Sequence, residues 1–411
     1  MSKLIPVIII WLLVDLYFFQ AVKTVTSNRY IWWAFWLYDG ILAFGLIYFL
    51  VSGKLTESSP QSIYLSLMLL SLAPKLIVIP LLLLEDIGRT VHFVFNWVEN
   101  LFHSFSSTPK QEHAHLANRR KFISQLAIGI AAVPFVGLLY GMVKGKYDYR
   151  VHRIKLKFND LPDAFNGFTI TQLSDIHSGS FDSHSDVERG IALANQQQSD
   201  LLLFTGDLVN NRANEMDEWK ETFSKLTAPL GKFSVLGNHD YGDYTSWESE
   251  AAKANNLQRL KEVHQEMGFR LMLNESLKIE KDGQHISLIG VENWGKGGFA
   301  KYGDLNKATA NVDDKDFKIL MSHDPSHWEV ETLHHPKHIH LTLAGHTHGM
   351  QFGIEIPGFK WSPIKYMYPQ WAGAYHKKNK YIYVNRGFGF LGYSGRVGIL
   401  PEVTVITLEK A

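Results

Sequence analysis

Four long apolar segments occupy the first third of the chain. They cover residues 5–22, 29–51, 63–84 and 124–143. A helix that crosses the hydrocarbon core of a bilayer needs about 20 apolar residues in succession. The alternative, a set of buried core helices in a soluble domain, does not readily accommodate four such segments so close together. The pattern therefore predicts a transmembrane region with about four helices over residues 1–147.

The third segment and the stretch after it depart from a simple span. Pro74 and Lys75 lie near the middle of residues 63–84, and the Lys75 ammonium must reach the interface or find a partner inside the membrane. Apolar side chains recur at helical spacing over residues 90–105, with Asn and Glu between them. This pattern predicts an amphipathic helix at the membrane interface, with an ordinary packed helix as the alternative.

The pattern changes near residue 148, where short apolar runs alternate with segments of helical periodicity. We predict strands over residues 154–158, 169–173, 201–204, 233–236, 286–289, 319–321, 341–343, 381–384 and 403–408. We predict helices over residues 185–198, 219–225 and 250–267. The segment Lys281-Asp282-Gly283-Gln284, between two strand-like runs, indicates a hairpin. Residues 148–411 are therefore predicted to form a globular α/β domain.

Composition narrows the chemistry that this domain can perform. The chain has 41 Lys and Arg against 40 Asp and Glu, a net charge of +1, which provides no general attraction to nucleic acid. It has no cysteine, so thiolate metal sites, cysteine nucleophiles and disulfides are excluded. Its 19 histidines direct attention to metal or acid–base chemistry.

Five predicted strands are followed directly by polar motifs. The motifs are Asp175-Ile176-His177, Gly206-Asp207, Gly237-Asn238-His239-Asp240, His323-Asp324 and Gly345-His346-Thr347-His348. The carboxyl ends of strands line the ligand crevice of an open α/β sheet, so these side chains are expected to converge. Their oxygen and nitrogen atoms suit Mn, Fe or Zn, and they are too many for one ion. Two divalent ions that share a carboxylate fit the number of ligands.

The five motifs, in this order, resemble those of the calcineurin-like metallophosphoesterase superfamily, and the resemblance extends over residues 150–411. The segments Asn385-Arg386-Gly387-Phe388-Gly389 and Pro401-Glu402-Val403 also resemble the branch of bacterial phosphoesterases that carry an export or membrane segment. One Asp-x-His alone has no value as evidence, whereas all five motifs in order are very specific. The resemblance implies a four-layer α/β/β/α sandwich, preceded here by the helical transmembrane region.

The resemblance also implies a role for each motif residue. The residues implied for the first metal ion are Asp175, His177, Asp207 and His348. Those implied for the second metal ion are Asp207, Asn238, His323 and His346. Asp207 would be shared, and a hydroxide bridging the two ions would attack the phosphorus. His239 would contact the substrate phosphate and protonate the leaving oxygen, and Asp240 would orient His239.

Two further features have alternative interpretations. Arg396 is expected either to bind a substrate phosphate through two hydrogen bonds or to form a surface salt bridge. An aromatic cluster after the last motif suits either a membrane interface with its acyl chains or the protein core. Its members are Trp361, Tyr366, Tyr368 and Trp371.

These features predict a metal-dependent hydrolase of phosphate ester or pyrophosphate bonds at the lipid bilayer, with a phosphorylated small-molecule or lipid-linked substrate. A UDP-2,3-diacylglucosamine hydrolase-type lipid pyrophosphatase is one alternative within the family. A membrane sensor or scaffold with a non-catalytic metal domain is an alternative of another class, and the complete set of motif residues argues against it. Nucleic acid is not expected as a partner, given the near-neutral charge and the membrane region.

The basic residues bear on topology, because four spans place both termini on one side of the membrane. The two loops on the opposite side hold seven Lys and Arg, against five on the remaining flanks. This favours cytoplasmic loops by the positive-inside rule. Residues 118–123 also resemble a twin-arginine export signal, with a plain basic segment as the alternative. We expect a multi-pass protein of the plasma (inner) membrane with an extracytoplasmic catalytic domain, although the lipid pyrophosphatase reaction would require the cytoplasmic side.

Overall fold

The N-terminal apolar segments lie in four long helices. A computed structural model describes residues 5–52, 59–102, 112–299 and 301–411. The helices are α1 (Ile5–Val25), α2 (Arg29–Ser52), α3 (Ser59–Phe102) and α4 (Glu112–Val143). Each contains a stretch that is long and apolar enough to cross a membrane. Within the described residues, the N-terminal region therefore provides four candidate membrane spans, as the hydropathy pattern predicts.

Helix α3 is longer than the segment from which it was predicted. Its 44 residues include both the apolar stretch at 63–84 and the stretch at 90–102, so the predicted amphipathic helix is not a separate element. Gly88 lies between the two stretches, but a helical glycine costs only about 1 kcal/mol relative to alanine. Continuing the helix also keeps the backbone hydrogen bonds satisfied. The end of the predicted segment, residues 103–105, lies outside the described residues.

Lys75 finds partners inside the helical unit instead of reaching an interface. Its Nζ lies 2.7 Å from Oδ1 of Asp15 and 2.8 Å from Oδ2 of Asp39. It also donates to Oγ of Ser71 at 2.9 Å, and all four side chains are buried. The three charged residues belong to three different helices, so this cluster links α1, α2 and α3. A buried charge requires such partners, because desolvation alone costs several kcal/mol.

Two six-stranded sheets form the second compact unit, which includes Gly141–Ala411. The first sheet has the order β1 (Arg150–Phe158), β14 (Glu402–Lys410), β2 (Thr169–Leu173), β3 (Leu201–Phe204), β4 (Lys232–Ser234), β5 (Arg270–Leu271). The second has the order β12 (Gly373–Lys377), β13 (Lys380–Val384), β9 (Leu341–Ala344), β8 (Lys318–Met321), β7 (Gln284–Gly290), β6 (Glu275–Lys281). A separate hairpin pairs β10 (Ile354–Ile356) with β11 (Phe359–Trp361).

The side-chain alternation along β3 shows how the layers are arranged. Leu201 and Leu203 belong to a core that also contains residues of the second sheet, such as Ile319 and Leu343. Leu202 and Phe204 point the other way, into a core shared with the helices outside the first sheet. Those helices are α5 (His184–Asn195), α6 (Lys220–Ser224) and α7 (Glu250–Glu266).

On the far side, α8 (Leu305–Thr309) packs against the outer face of the second sheet through Leu305 and Ala308. The order helix, sheet, sheet, helix confirms the predicted four-layer α/β/β/α fold. All nine predicted strands are present, and the predicted hairpin at Lys281–Gln284 joins β6 to β7. The sequence pattern missed β5 and the short strands β10, β11 and β12.

Replacing Lys75 by methionine should destabilise the helical unit strongly. The substitution leaves Asp15 and Asp39 buried without positive charge, which should lower the free energy of unfolding by about 3–5 kcal/mol. Thermal unfolding of the detergent-solubilised protein measures the effect, with Lys121→Met at an exposed position of α4 as the control. Adding Asp15→Asn and Asp39→Asn to the Lys75 variant should restore part of the loss. Equal melting temperatures for the Lys75→Met and Lys121→Met variants would show that the cluster does not stabilise the helical unit.

Candidate metal centre

The predicted site residues follow the carboxyl ends of parallel strands in both sheets. Strands β2, β3 and β4 are parallel neighbours in the first sheet, and β8 and β9 are parallel neighbours in the second. Each of these strands ends a few residues before one of the five motifs. The structure brings the motifs together, and their histidine and carboxylate side chains form two groups that could each hold a metal ion.

The first group consists of Asp175, His177 and His348. Nε2 of His177 lies 3.0 Å from Nε2 of His348. Nε2 of His348 also lies 3.2 Å from Oδ1 of Asp175. All three side chains are buried, and their potential ligand atoms lie within 4.8 Å of one another. Two imidazole nitrogens and one carboxylate oxygen therefore converge on one small volume.

The second group consists of Asp207, His323 and His346, and Asn238 adjoins it. Nε2 of His323 lies 3.1 Å from Oδ2 of Asp207 and 3.3 Å from Nδ1 of His346. Oδ1 of Asn238 lies 2.8 Å from Nδ1 of His346 and 3.1 Å from Nε2 of His323. This group offers two imidazoles, a carboxylate and an amide oxygen. It contains all four residues that the family resemblance implies for the second ion.

Asp207 connects the two groups through a single oxygen atom. Its Oδ2 lies 3.1 Å from Nε2 of His323, in the second group, and 3.5 Å from Nε2 of His177, in the first. A carboxylate in this position can serve both groups at once. All seven residues that were predicted as metal ligands thus lie in one cluster, with Asp207 between its halves.

The charges of the cluster fit divalent cations. Among the described residues, the ion-pair partners of Asp175 and Asp207 are imidazoles, and a buried carboxylate is costly without positive charge. Burial lowers the pKa of His323, but the charge and hydrogen bond of Asp207 outweigh it and raise that pKa to about 10. Burial lowers the pKa of His177 well below its usual range. Divalent cations would supply the positive charge that these oxygen and nitrogen donors otherwise obtain only from protons.

The backbone at the cluster is held in an unusual conformation. Five of the predicted ligands have positive φ angles, between 48° and 71°: Asp175, His177, Asp207, His346 and His348. A non-glycine residue in this region costs on the order of 1 kcal/mol or more, and such residues concentrate at functional sites. Gly345 allows a close approach between two turns, because a Cβ atom there would lie 1.9 Å from Oγ of Ser174 and 2.2 Å from Oδ2 of Asp175.

His239 lies beside the two groups. The centroid of its ring is 4.9 Å from that of His177, and its backbone N–H donates to Oδ1 of Asp207 at 2.8 Å. Its Nδ1 lies 2.8 Å from the carbonyl oxygen of Asn210. No partner for its Nε2 is found among the described residues, so this nitrogen is free to meet a substrate. The hydrogen bond that orients the ring is therefore accepted by the carbonyl oxygen of Asn210, and not by Asp240 as the resemblance implies.

Asp240 instead fixes the turn that carries Asp207. Its buried carboxylate accepts hydrogen bonds from four backbone N–H groups at distances of 2.8–3.3 Å. The donors are Gly237, Asp207, Leu208 and Val209. Three of these follow β3 and one follows β4, so Asp240 ties together two of the turns that build the cluster.

Sequence reasoning missed the groups that hold the second ring nitrogen of His177 and of His323. Oδ1 of Asn210 lies 3.1 Å from Nδ1 of His177. The carbonyl oxygen of Thr205 lies 2.8 Å from Nδ1 of His323. Acceptors in these positions bind the Nδ1–H tautomer and leave Nε2 of each ring available for a metal ion. The position of Asn210, three residues after Asp207 in the same turn, was the available signal in the sequence.

Tyr368 and Arg396 contact the last two histidines. The Tyr368 hydroxyl lies 2.9 Å from Nε2 of His346, so this member of the aromatic cluster belongs to the site. Arg396 is fully buried and donates to the carbonyl oxygen of Gly389, and its Nη2 lies 3.2 Å from Nδ1 of His348. The expected surface salt bridge of Arg396 is therefore wrong.

Comparison with known proteins agrees with this geometry. A family model described as calcineurin-like phosphoesterase matches residues 168–350. A second, described as a probable calcineurin-like phosphoesterase transmembrane domain, matches residues 1–146. The two together account for most of the chain, which belongs to the calcineurin-like metallophosphoesterases. This family implies a phosphoesterase activity that depends on divalent metal ions.

Three relatives illustrate the range of similar proteins. The uncharacterized metallophosphoesterase YkuE of Bacillus subtilis (strain 168) is 29% identical over 301 residues, which cover 71% of this chain and 98% of that protein. Phosphodiesterase YaeI of Escherichia coli (strain K12) is 27% identical over 302 residues, 71% of this chain and 100% of that protein. The UDP-2,3-diacylglucosamine pyrophosphatase LpxG of Chlamydia muridarum is 25% identical over 281 residues, 56% of this chain and 81% of that protein.

Replacing Asn210 by alanine should weaken metal binding without abolishing turnover. The variant loses the acceptor for His177 Nδ1, and loss of such a partner typically costs 10–100-fold in metal affinity, so we expect a decrease of about that size. The main-chain oxygen that orients His239 remains, so the rate at saturating metal should stay close to that of the wild type. Titration of the metal-free protein, prepared by treatment with a chelator, with Mn²⁺ measures the metal affinity. Asn211→Ala is the matched control, because the side-chain oxygen of Asn211 has no hydrogen-bond partner; equal affinities for both variants would contradict the assignment.

Proposed function

We propose that the chain is a dinuclear-metal phosphoesterase that hydrolyses phosphate ester or pyrophosphate bonds at the membrane. The position of Asp207 carries this proposal, because its Oδ2 lies within 3.5 Å of an imidazole nitrogen from each group. One shared carboxylate between two sets of nitrogen and oxygen donors is the arrangement that a pair of divalent ions requires. Membership of the calcineurin-like family supports the same reaction class.

The proposed ligand sets follow the two groups in the structure. Asp175, His177 and His348 would bind one ion and share Asp207 with the other. The remaining ligands of the second ion would be Asn238, His323 and His346. The donors are oxygen and nitrogen only, which suits Mn, Fe or Zn. When bound, a pair of such ions supplies a hydroxide nucleophile at neutral pH and neutralises charge on the phosphoryl oxygens.

His239 is the proposed acid for the leaving group. Its ring is held through Nδ1 by the Asn210 carbonyl, so Nε2 faces away from that bond and has no partner among the described residues. A proton on Nε2 could therefore be donated to the oxygen that leaves the phosphorus. The backbone N–H of His239 also holds Oδ1 of Asp207, which keeps the acid at a fixed distance from the shared carboxylate.

The substrate class that we propose is a lipid-linked or otherwise membrane-associated phosphate compound. Four candidate membrane spans keep the domain at a bilayer. The similarity to LpxG, a protein named as a UDP-2,3-diacylglucosamine pyrophosphatase, favours a lipid pyrophosphatase as the second candidate. A sensor with a non-catalytic metal domain is disfavoured, because such a domain would need the metal donors but not His239, whose Nε2 has no partner among the described residues.

Replacing His239 by alanine should separate catalysis from metal binding. The variant should keep its divalent metal, because His239 belongs to neither ligand group, and it should lose about 10²–10⁴-fold in turnover of bis-p-nitrophenyl phosphate. Asp207→Asn is the matched comparison and should lose both activity and metal. Elemental analysis and initial rates on the full-length protein provide the two readouts. Loss of metal from the His239 variant, or wild-type activity in the Asp207 variant, would refute the assigned roles.

We also propose that the catalytic domain faces the outside of the plasma membrane. The distribution of basic residues and the basic segment at residues 118–123 support this orientation. An epitope tag placed after Ala411, an exposed residue, should therefore be removed by protease added to intact cells or spheroplasts. A cytoplasmic marker protein in the same sample should stay intact. Protection of the tag until the membrane is permeabilised would reverse the topology and would favour the lipid pyrophosphatase of the cytoplasmic side.

A further inference from the structure

Exposed apolar side chains of the second compact unit concentrate in one short segment. Among the described residues from 141 onward, seven of the eleven exposed large hydrophobic side chains lie between residues 350 and 367. They are Met350, Phe352, Ile354, Ile356, Phe359, Tyr366 and Met367. We call residues 350–367, which include β10 and β11, the apolar hairpin. A cluster of this kind on a protein surface marks an interaction site.

The two strands of the apolar hairpin turn their apolar face outward and their polar face toward the domain. Ile354 lies opposite Trp361, and Ile356 lies opposite Phe359. These cross-strand pairs share one face, and Ile354, Ile356 and Phe359 are 50–59% exposed on it. A hairpin on the surface of a water-soluble protein usually places its apolar face on the core and its polar face in water. Here the outward face is the apolar one.

The polar face of the apolar hairpin is attached to the domain. Glu355 accepts a hydrogen bond from Nε of Arg386 at 2.8 Å. Its cross-strand neighbour Lys360 donates to the carbonyl oxygen of Ala372. These contacts fix the orientation of the hairpin, so its apolar face cannot simply turn inward. Glu355 is also the one acidic residue between positions 350 and 367, and its charge is neutralised.

Both ends of the apolar hairpin lie at the candidate metal centre. His348, a member of the first group, lies two residues before its start, and Tyr368 follows it with its hydroxyl 2.9 Å from Nε2 of His346. At its base, Oγ of Ser362 donates to the carbonyl oxygen of Gly349 at 2.8 Å. The position of the hairpin is therefore rigidly linked to the position of the site histidines.

We propose that the outward face of the apolar hairpin inserts into the lipid surface of the membrane that carries this chain. The chain itself supplies four candidate spans, and only residues 144–149 separate α4 from β1, so a bilayer is always within reach. Apolar and aromatic side chains with nearby lysine and no free carboxylate suit the interfacial region of a bilayer. Lys365, exposed beside Tyr366, adds an attraction to anionic headgroups.

This contact would place the metal centre at the height of the lipid headgroups. Phosphate groups at the membrane surface would then reach the site without leaving the bilayer. This consequence for the substrate rests on the proposed phosphoesterase function, whereas the insertion of the hairpin does not.

The absence of cysteine from the chain allows a direct test on the full-length protein. A single cysteine is introduced at Ile356, labelled with an environment-sensitive fluorophore, and the protein is placed as single copies in nanodiscs of phosphatidylcholine and phosphatidylglycerol. The label should emit at shorter wavelength than in water and should be quenched by lipids that carry a quencher on the acyl chain. Glu280→Cys, exposed on the polar β6–β7 hairpin, is the matched control and should show neither effect.

Equal and low quenching at positions 356 and 280 would overturn the proposal. A shift at 356 that is not quenched by lipid and grows with protein concentration in detergent would also overturn it, because a second copy of the chain would then cover the face. The fluorescence readout needs no turnover, so it tests the hairpin even if the proposed reaction is wrong.

A variant with Ile356→Asp and Phe359→Asp provides a second readout. It should retain the wild-type rate on soluble bis-p-nitrophenyl phosphate and lose most of its rate on a phosphodiester lipid in the nanodisc. Undiminished hydrolysis of the lipid would contradict the proposed docking.

Discussion

The cluster around Asp207 is the constraint on which the rest of the catalytic domain depends. Two buried carboxylates, four imidazoles and an amide oxygen meet there, and such a set is stable only with positive charge among its members. The first sheet supplies four of these seven donors and the second sheet supplies three, at the carboxyl ends of parallel strands. The positive φ angles of five of these residues show that the backbone accepts local strain in order to aim them.

The helical unit also contains buried carboxylates that need a positive charge beside them. Lys75 is buried between Asp15 and Asp39, so the positive charge there is part of the chain itself. In the cluster of the catalytic domain, the groups beside the carboxylates are imidazoles, which carry positive charge only when they bind a proton, as the raised pKa of His323 shows for that residue. This difference separates a self-sufficient structural ion cluster from a site built to receive divalent cations.

Much of the fold and of the site could be predicted from the sequence, because buried elements produce recognisable patterns of apolar residues along the chain. Strands such as β3 are buried on both faces and appear as unbroken apolar runs, and the motifs after them contain the chemistry. The strands β10 and β11 were missed because their apolar face points outward and their segments are short. The roles of Asp240 and Asn210 depend on which backbone group lies nearest in space, and Arg396 is buried far along the chain from His348. Sequence spacing does not encode such contacts.

The central claim, two metal ions that share Asp207, can be measured on the full-length protein loaded with Mn²⁺. Elemental analysis should give two manganese ions for each chain, and electron paramagnetic resonance should show the spectrum of a magnetically coupled pair, which Asp207→Asn should remove. One ion for each chain, or a spectrum of isolated Mn²⁺ in the wild-type protein, would contradict the account.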